Sequence, residues 1–210
     1  MTRQRLLEPR WPAFVAMVAA AGVRLALPDP LSVGPNWLLL AVIVLMLVPI
    51  LISAHRGDHR VTRILTFVAN GFITIAMIAS LIHLILGIPK HLETPTALLR
   101  SACALWVTNI LMFALWYWKL DGGGPRCREL PNGMSKSSFL FPQMMNRGSQ
   151  EAPWVPHFVD YLFLAFNTST AFSPTDTAVL SRWAKLGTML QSLISLTIIA
   201  LLAARAVNIL

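Results

Sequence analysis

A hydroxyl-rich stretch near the C-terminal end of the chain, FNTSTAFSPTDT at positions 166–177, lies between two strongly apolar segments. The candidate cation contacts in it are the hydroxyls of Thr168, Thr170, Ser173 and Thr175 and the carboxylate of Asp176. Pores select cations with rings of oxygen atoms, and a ring of carboxylates attracts cations to a pore mouth. The stretch is therefore a candidate pore lining, and an ordinary turn between two membrane helices is the alternative.

The last apolar segment carries polar residues of its own. Gln191, Ser195 and Arg205 fall close to one face at helical spacing. Side chains of this kind either pack against a neighbouring helix or face a water-filled conduit, because lipid cannot solvate them. Close packing is the favoured interpretation, and the conduit makes Gln191 and Ser195 candidate pore-lining residues.

Asp160 and Arg205 form a candidate structural ion pair. If the apolar segment 158–172 crosses the membrane antiparallel to the last one, both charges lie near the same membrane surface. A partly buried pair would then lock the two segments together, and breaking one side of such a pair typically costs about 3–5 kcal/mol.

No set of residues predicts catalysis. The chain has neither G-x-S-x-G nor H-E-x-x-H, and no paired acids on one intramembrane face. His83 has no second ligand at metal spacing, and Cys103 and Cys127 match neither a metal site nor a disulfide framework. We therefore expect no enzymatic activity, no metal and no cofactor, with His83 as a packing residue.

The composition is that of a protein with several membrane spans. Of 210 residues, 56% are hydrophobic and only 12% charged, about half the charge of a soluble domain. The formal net charge of +8 comes from residues in the links between apolar blocks, not from one amphipathic face. Basic links are what membrane topology requires, so the charge favours a lipid bilayer, and not nucleic acid, as the partner.

The order of the apolar segments predicts an all-α transmembrane fold with five or six membrane-spanning helices. The segments are 11–27, 36–54, 64–88, 96–118, the shorter 158–172, and 184–210. We expect a four-span helical bundle at 1–118, a polar link at 119–156, and a C-terminal unit at 157–210. That last unit is either a helical hairpin or a re-entrant pore loop plus the last helix. The first segment is read as a retained span, with a cleaved signal peptide as the alternative.

Lys and Arg are unevenly divided between the two sets of links. Most precede the first segment, separate the second from the third, or fall within 119–156. The opposite set holds mainly Lys90, with Arg182 and Lys185 at the start of the last span. The positive-inside rule therefore places the N-terminus and the 119–156 link in the cytoplasm. A complete crossing by 158–172 makes six spans and puts the C-terminus there too.

Two details of the link and two of the spans carry further expectations. The run from Asp121 to Pro125 is glycine-rich without a phosphate-loop Lys, and predicts a flexible exit from the fourth helix. The apolar residues 139–142 are expected to rest on the membrane surface, with packing against the bundle as the alternative. Asn70 and Asn109 lie at similar depths of adjacent spans and are candidates for an interhelical hydrogen bond.

The segment YLFLAFNTSTAFSPTD at 161–176 resembles the pore helix and filter of tetrameric potassium-type cation channels. That family reads aromatic-x-x-Thr-x-Thr-Thr-Val-Gly-Tyr-Gly-Asp. In an alignment without gaps Thr168, Thr170 and Asp176 match it, and Phe166 lies one residue after its aromatic position. Ser173-Pro174-Thr175 stands where the family has Gly-Tyr-Gly, so the filter is degenerate. Proline fixes φ near −65°, whereas the family's filter needs glycines to aim its carbonyls at the ion. The resemblance implies a wider cation pore, lined by hydroxyls around Pro174.

A second resemblance covers more of the chain. The segments 120–125, 139–144, 158–161 and 204–210 are similar to those of a family of uncharacterised bacterial integral membrane proteins. That resemblance implies a bacterial inner membrane and the same multi-span architecture, and it implies no activity.

These observations lead to two function hypotheses. The first is a homo-oligomeric cation-conducting pore, tetrameric if it is a channel, that passes monovalent cations. The second is a non-conducting accessory or structural membrane protein, and a small-solute transporter is a further alternative.

Overall fold

The computed structural model describes residues 11–23, 36–56, 58–87, 95–128, 136–145, 154–174 and 176–207. At positions 36, 54, 59, 95 and 204–207 the description covers the backbone alone. Eight helices and two short strands follow one another, with a 3-10 turn at Asp121–Gly123. They are α1 (Trp11–Gly22), α2 (Asn36–His55), α3 (His59–Gly87), α4 (Pro95–Leu120), α5 (Pro125–Arg128), β1 (Phe139–Leu140), α6 (Pro142–Met145), α7 (Phe158–Thr170), β2 (Ala178–Val179) and α8 (Arg182–Val207).

Three of these helices are long and apolar enough to cross a membrane: Arg60–Gly87, Thr96–Gly123 and Arg182–Ala203. Trp11–Gly22 and Trp37–Ser53 are shorter apolar helices. The mostly helical class is confirmed, and these three helices are compatible with the predicted membrane spans. The count of five or six spans stays a prediction.

Helix α4 is the centre of the molecule. It packs against α1, α3, α7 and α8. Within its most apolar stretch 67% of the residues are buried, against 22% for α8. Met112, Ala114 and Leu115 are fully enclosed there. The chain therefore surrounds α4 with the other helices and leaves most of α8 on the outside.

Contacts along α4 fix the directions of α7 and α8. The Trp118 ring meets Phe158 at 5.9 Å between centroids, and the Trp106 ring meets Phe166 at 6.0 Å, so α7 runs antiparallel to α4. Helix α8 is also antiparallel to α4. The Tyr117 hydroxyl donates to Gln191 of α8 at 2.7 Å, and Asn109, earlier in α4, donates to Ser195 further along α8 at 2.8 Å. Two helices that both run against α4 run in the same direction, so α7 and α8 begin on the same side of the bundle.

The chain must reverse between these two helices. Helix α7 has 13 residues and is about 20 Å long at 1.5 Å per residue, shorter than a bilayer core of about 30 Å. Just after it Phe172 has φ 54°, a left-handed conformation that is uncommon outside glycine. The chain then returns to β2, which pairs antiparallel with β1 through Phe139↔Val179 and Leu140↔Ala178. We call residues 158–181 the re-entrant loop, because both of its ends lie on one side.

The starts of α3, α7 and α8 and the end of α4 all lie on that side, which we call the basic side. Arg182 and Lys185 belong to it, because α8 begins there. The expectation that placed them on the opposite side is therefore wrong. The same direction of α8 puts its C-terminal end on the side opposite to the basic one, so the two helices do not form the antiparallel hairpin considered above.

The link after α4 begins with a tight turn and later packs against the bundle. Gly122, Gly123 and Gly124 have φ values of 57°, 82° and 101°, and a Cβ on Gly124 would lie 3.1 Å from the Lys119 carbonyl oxygen. Glycine is needed for this tight turn, and the flexibility predicted for this exit stays a prediction. Phe139 and Phe141 are buried and pack against the bundle. The expectation that they rest on the membrane surface is wrong.

Candidate functional site

The re-entrant loop is held from one side by Gln191 of α8, which is fully buried. Its Nε2 donates to the carbonyl oxygen of Ala165 at 2.6 Å and to Ser169 Oγ at 2.8 Å, both on α7. Its Oε1 accepts a hydrogen bond of 2.7 Å from the Tyr117 hydroxyl of α4. Ser192 Oγ adds a bond of 3.3 Å to the Thr168 carbonyl oxygen. One amide thus connects α4, α7 and α8 at the depth where α7 ends.

Asn109 of α4 continues this network. Its Nδ2 donates to Ser195 Oγ at 2.8 Å and to the Gln191 carbonyl oxygen at 3.3 Å. The predicted bond between Asn70 and Asn109 is not made. The side-chain amide of Asn70 is buried without a hydrogen-bond partner among the described residues. Asn109 therefore holds α8 instead of α3.

The base of the loop is held by Asp121, which is fully buried at the end of α4. Its Oδ2 accepts hydrogen bonds from Tyr161 of α7 at 2.6 Å and from Ser137 Oγ at 2.8 Å. Its Oδ1 accepts the backbone N–H of Ser138, next to β1. A carboxylate that is removed from water needs several donors of this kind. Asp121 therefore joins α4, the link and α7.

Arg128 completes the base. It is 1% exposed, and its Nη1 donates to the carbonyl oxygens of Trp118 at 2.7 Å and Asp121 at 2.9 Å. Its guanidinium lies 4.9 Å from the centre of the Tyr161 ring, in the position of a cation–π contact. The base of the loop is thus a polar cluster shielded by the Phe139 and Phe141 rings, which pack on Tyr161 at 6.3 and 5.4 Å.

Three of the predicted pore-lining residues are buried in the bundle, and two of them make side-chain hydrogen bonds between helices. Gln191 and Ser195 are fully buried in the network above. Thr168 is also fully buried, and its hydroxyl donates to the Leu164 carbonyl oxygen at 2.8 Å. Within one protomer none of the three faces an open conduit, which agrees with the close packing favoured for the last helix.

The other predicted residues lie at or after the reversal. Thr170, Ser173 and Asp176 are exposed, Pro174 is half-buried, and Thr175 lies outside the described residues. The Thr170 hydroxyl donates to the Phe166 carbonyl oxygen at 2.9 Å. The accessible oxygen atoms of this set thus belong to the return half of the loop and the last residue of α7.

Comparisons with protein-family models, curated proteins and solved structures find no match. The described residues contain no group of three or more His, Cys, Asp or Glu side chains that could hold a metal ion. The site is therefore characterised by its own geometry: a short helix, a reversal, and a return segment.

The predicted ion pair between Asp160 and Arg205 lacks the geometry that it assumed. Asp160 lies at the start of α7, where its Oδ2 accepts the backbone N–H of His157 at 2.7 Å. The Arg205 side chain lies outside the described residues, and its backbone belongs to the last turns of α8. Since both helices start on the basic side, the two residues occupy opposite ends of parallel helices.

Sequence reasoning identified the loop but missed the residues that hold its base. Tyr161 lies 40 residues after Asp121 in the sequence, and the glycine run between Asp121 and Arg128 predicts a flexible segment and not a polar cluster. The available signal was the length of α7, because 13 residues fall short of the roughly 20 that a spanning helix needs.

Proposed function

We propose that this chain is a subunit of a cation channel in a bacterial inner membrane, with the re-entrant loop as its pore loop. The observation that carries the proposal is the shared direction of α7 and α8. Residues 161–176 resemble the pore motif of the potassium-type channel family. In that family a helix that enters the membrane part-way is followed by an extended return and then a full-length helix, and α7 and α8 follow the same order. Non-helical backbone at membrane depth is expected where it is buried in protein or lines a water-filled cavity.

Electrostatics at the reversal supports a cation over an anion. The C-terminal end of a helix carries about half a negative elementary charge, from carbonyl groups without intrahelical partners. That end of α7 lies next to the exposed Thr170 and Ser173, and the exposed Asp176 follows on the return. A cation at the reversal therefore meets a helix C-terminus, hydroxyl oxygens and a carboxylate in turn.

The filter differs from that of a potassium channel. Pro174 fixes its own φ and restricts Ser173. The return segment therefore does not present the glycine-dependent row of carbonyl oxygens. We propose a wider pore that passes monovalent cations with weak selectivity, with Asp176 from each subunit at its mouth.

The pore requires more than one copy of the chain, because a single loop does not enclose a conduit. Helix α8 presents a row of exposed apolar side chains at Leu186, Met189, Leu193 and Leu196. We propose that four copies assemble around one axis, with the loops and α8 nearest to it and the other helices toward lipid.

The proposed topology has five complete crossings, by α1–α4 and α8, plus the re-entrant loop. The basic side is assigned to the cytoplasm by the positive-inside rule. The N-terminus is then cytoplasmic, the C-terminus lies outside, and the loop enters from the cytoplasm, as in glutamate-receptor pores. A loop that entered from outside would require the link before it to lie outside, although that link is basic. Entry from the cytoplasm agrees with the basic link.

A non-conducting accessory protein is the second candidate, and the buried network favours it. Gln191, Ser195 and Thr168 are satisfied within one protomer, so the loop is held without a neighbour or an ion. In that case the loop is a structural element and Asp176 is an ordinary surface residue.

Cation flux into liposomes separates the two candidates. Purified protein reconstituted with a cation-sensitive dye should pass monovalent cations, and Asp176→Asn should reduce the flux several-fold. Asp58→Asn is the matched control, because Asp58 is also an exposed acid on the basic side but belongs to the turn before α3. Absent flux, or equal flux from the two variants, would reject the pore and favour the accessory protein.

A further inference from the structure

A cavity of about 380 Å³ lies on the basic side, away from the re-entrant loop and partly open to the surroundings. It is enclosed by the start of α1, the start of α3, the end of α4 and the turn that follows. Neither the proposed pore nor the buried network uses it. Its floor and walls contain Phe14, Met17, Phe67 and Trp118, so much of the lining is apolar.

The charged residues of the lining are all basic. Arg60, Arg63, Lys119 and Arg126 line the cavity, and no Asp or Glu does so among the described residues. Arg60 and Arg63 are exposed on the first turns of α3. A concave site with one sign of charge and low-dielectric walls attracts ions of the opposite sign.

Lys119 is the residue that points to a ligand. It is 8% exposed, and its Nζ has no hydrogen-bond partner among the described residues. Its ammonium lies 5.2 Å from the centre of the Phe67 ring, with the Arg63 guanidinium 5.7 Å from the same ring. A ring face gives a cation weak support, whereas a buried ammonium requires an anion or several acceptors. The cavity supplies an unpaired cation that an incoming anion would neutralise.

The position of the cavity selects a membrane anion. It lies at the basic end of the helices, where the headgroups of a bilayer meet the apolar core. Exposed Val61, Ile64 and Val68 continue from it along α3, and Trp11 and Val15 are exposed on α1. These surfaces can carry acyl chains out of the cavity. Basic pockets between membrane helices on the cytoplasmic side bind anionic headgroups.

We propose that this cavity is a binding site for an anionic phospholipid. The headgroup phosphate sits between Lys119 Nζ and the Arg63 guanidinium, and the first methylene groups of the acyl chains lie against Phe14, Met17 and Trp118. The cavity of about 380 Å³ then holds the headgroup and these first methylene groups, and the rest of the acyl chains lies outside. The site does not depend on conduction by the re-entrant loop.

Cys127 lines the cavity and is exposed, so its modification reports on occupancy. In a Cys103→Ser background, the full-length protein in detergent is titrated with phosphatidylglycerol, phosphatidylcholine or inorganic phosphate while maleimide labels Cys127. Phosphatidylglycerol should slow labelling at least five-fold, and the other two should leave the rate unchanged. Native mass spectrometry should show the same lipid retained by the unlabelled protein.

Lys119→Met removes the charge and nearly keeps the length of the side chain. It should raise the phosphatidylglycerol concentration needed for half-maximal protection at least ten-fold. Arg63→Gln changes an exposed residue and should raise this concentration as well, so the test does not depend on one buried substitution. Lys185→Met, an exposed lysine on the same side but outside the cavity, is the control and should have no effect.

Three outcomes would overturn the proposal. If phosphatidylcholine slowed the labelling of Cys127 as much as phosphatidylglycerol does, the negative charge of the lipid would not determine binding. Full protection of both the Lys119→Met and the Arg63→Gln variants would place the lipid elsewhere. Protection by inorganic phosphate alone would assign the cavity to a soluble phosphate-bearing ligand instead of a lipid.

Discussion

Gln191 is the residue whose replacement tests how α7 is held beside α8. Its side chain makes three hydrogen bonds, to the Tyr117 hydroxyl, the Ala165 carbonyl oxygen and Ser169 Oγ. Gln191→Leu removes all three and nearly conserves the volume, so it introduces little cavity or strain. The hydroxyls of Tyr117 and Ser169 are then left without this partner inside the bundle.

The magnitude follows from interhelical hydrogen bonds measured in membranes, which average about 0.6 kcal/mol and reach about 1.7 kcal/mol. Three such bonds predict that Gln191→Leu lowers the free energy of unfolding by about 2 kcal/mol, with about 5 kcal/mol as the upper bound. A loss of about 2 kcal/mol shifts the folding equilibrium roughly 30-fold.

The assay is equilibrium unfolding in mixed micelles, with the protein labelled for steric trapping or followed by tryptophan fluorescence. Thr197→Val is the matched control on the same helix, because the Thr197 hydroxyl donates only to the Leu193 carbonyl oxygen of its own turn. That variant should change the free energy of unfolding by less than about 0.5 kcal/mol. A double-mutant cycle of Gln191→Leu with Tyr117→Phe should give a coupling of about 0.6 kcal/mol or more.

Two results would refute the reasoning. If Gln191→Leu and Thr197→Val destabilise equally, the network contributes nothing beyond the helix itself. If the coupling with Tyr117→Phe is zero while Gln191→Leu remains destabilising, the amide acts through packing and not through this hydrogen bond.

Two further predictions concern the turn and the topology. Gly124→Ala should lower the free energy of unfolding by about 1–2 kcal/mol, because φ is 101° and the added Cβ meets a backbone carbonyl oxygen at 3.1 Å. Gly22→Ala has nothing within 4 Å of the added atom and should not destabilise, and similar losses in the two variants would contradict the argument. In a background with both native cysteines replaced by serine, Asp176→Cys and Lys136→Cys should react with an impermeant maleimide from the same side of a sealed vesicle. Labelling from opposite sides would mean that α7 crosses completely.

The helices were predictable from the sequence, because long apolar blocks leave few other structures possible in a membrane. The direction of α8 was not, because it depends on whether α7 crosses completely. The hydropathy of residues 158–172 fits a short span and a re-entrant helix equally well. Hydropathy indicates whether a residue lies within the membrane, but not in which direction the chain runs there. The contacts that decide the direction, Trp118 with Phe158 and Tyr117 with Gln191, join distant parts of the sequence.

The candidate site was predicted only in part, because the sequence does not show which distant residues meet. Helical periodicity placed Gln191 and Ser195 on one face, and that face does carry the polar contacts. It could not say which neighbour they meet, so Asn109 was paired with Asn70 when its partner is Ser195. Asp121 escaped notice because its three donors come from residues in the link and on α7, and the glycines beside it suggested a flexible segment.

The contacts of α7 form in a fixed order while the chain is being synthesised. Trp118 and Asp121 precede α7 in the chain, so their contacts with it can form as soon as α7 leaves the ribosome. Its hydrogen bonds to Gln191, and the pairing of β1 with β2, must wait until α8 is being made. During that interval a helix too short to cross the bilayer is held by α4, the link and its smaller contact with α1. During insertion of this protein the contacts at the base of the loop must therefore form first, and the contacts with α8 form last.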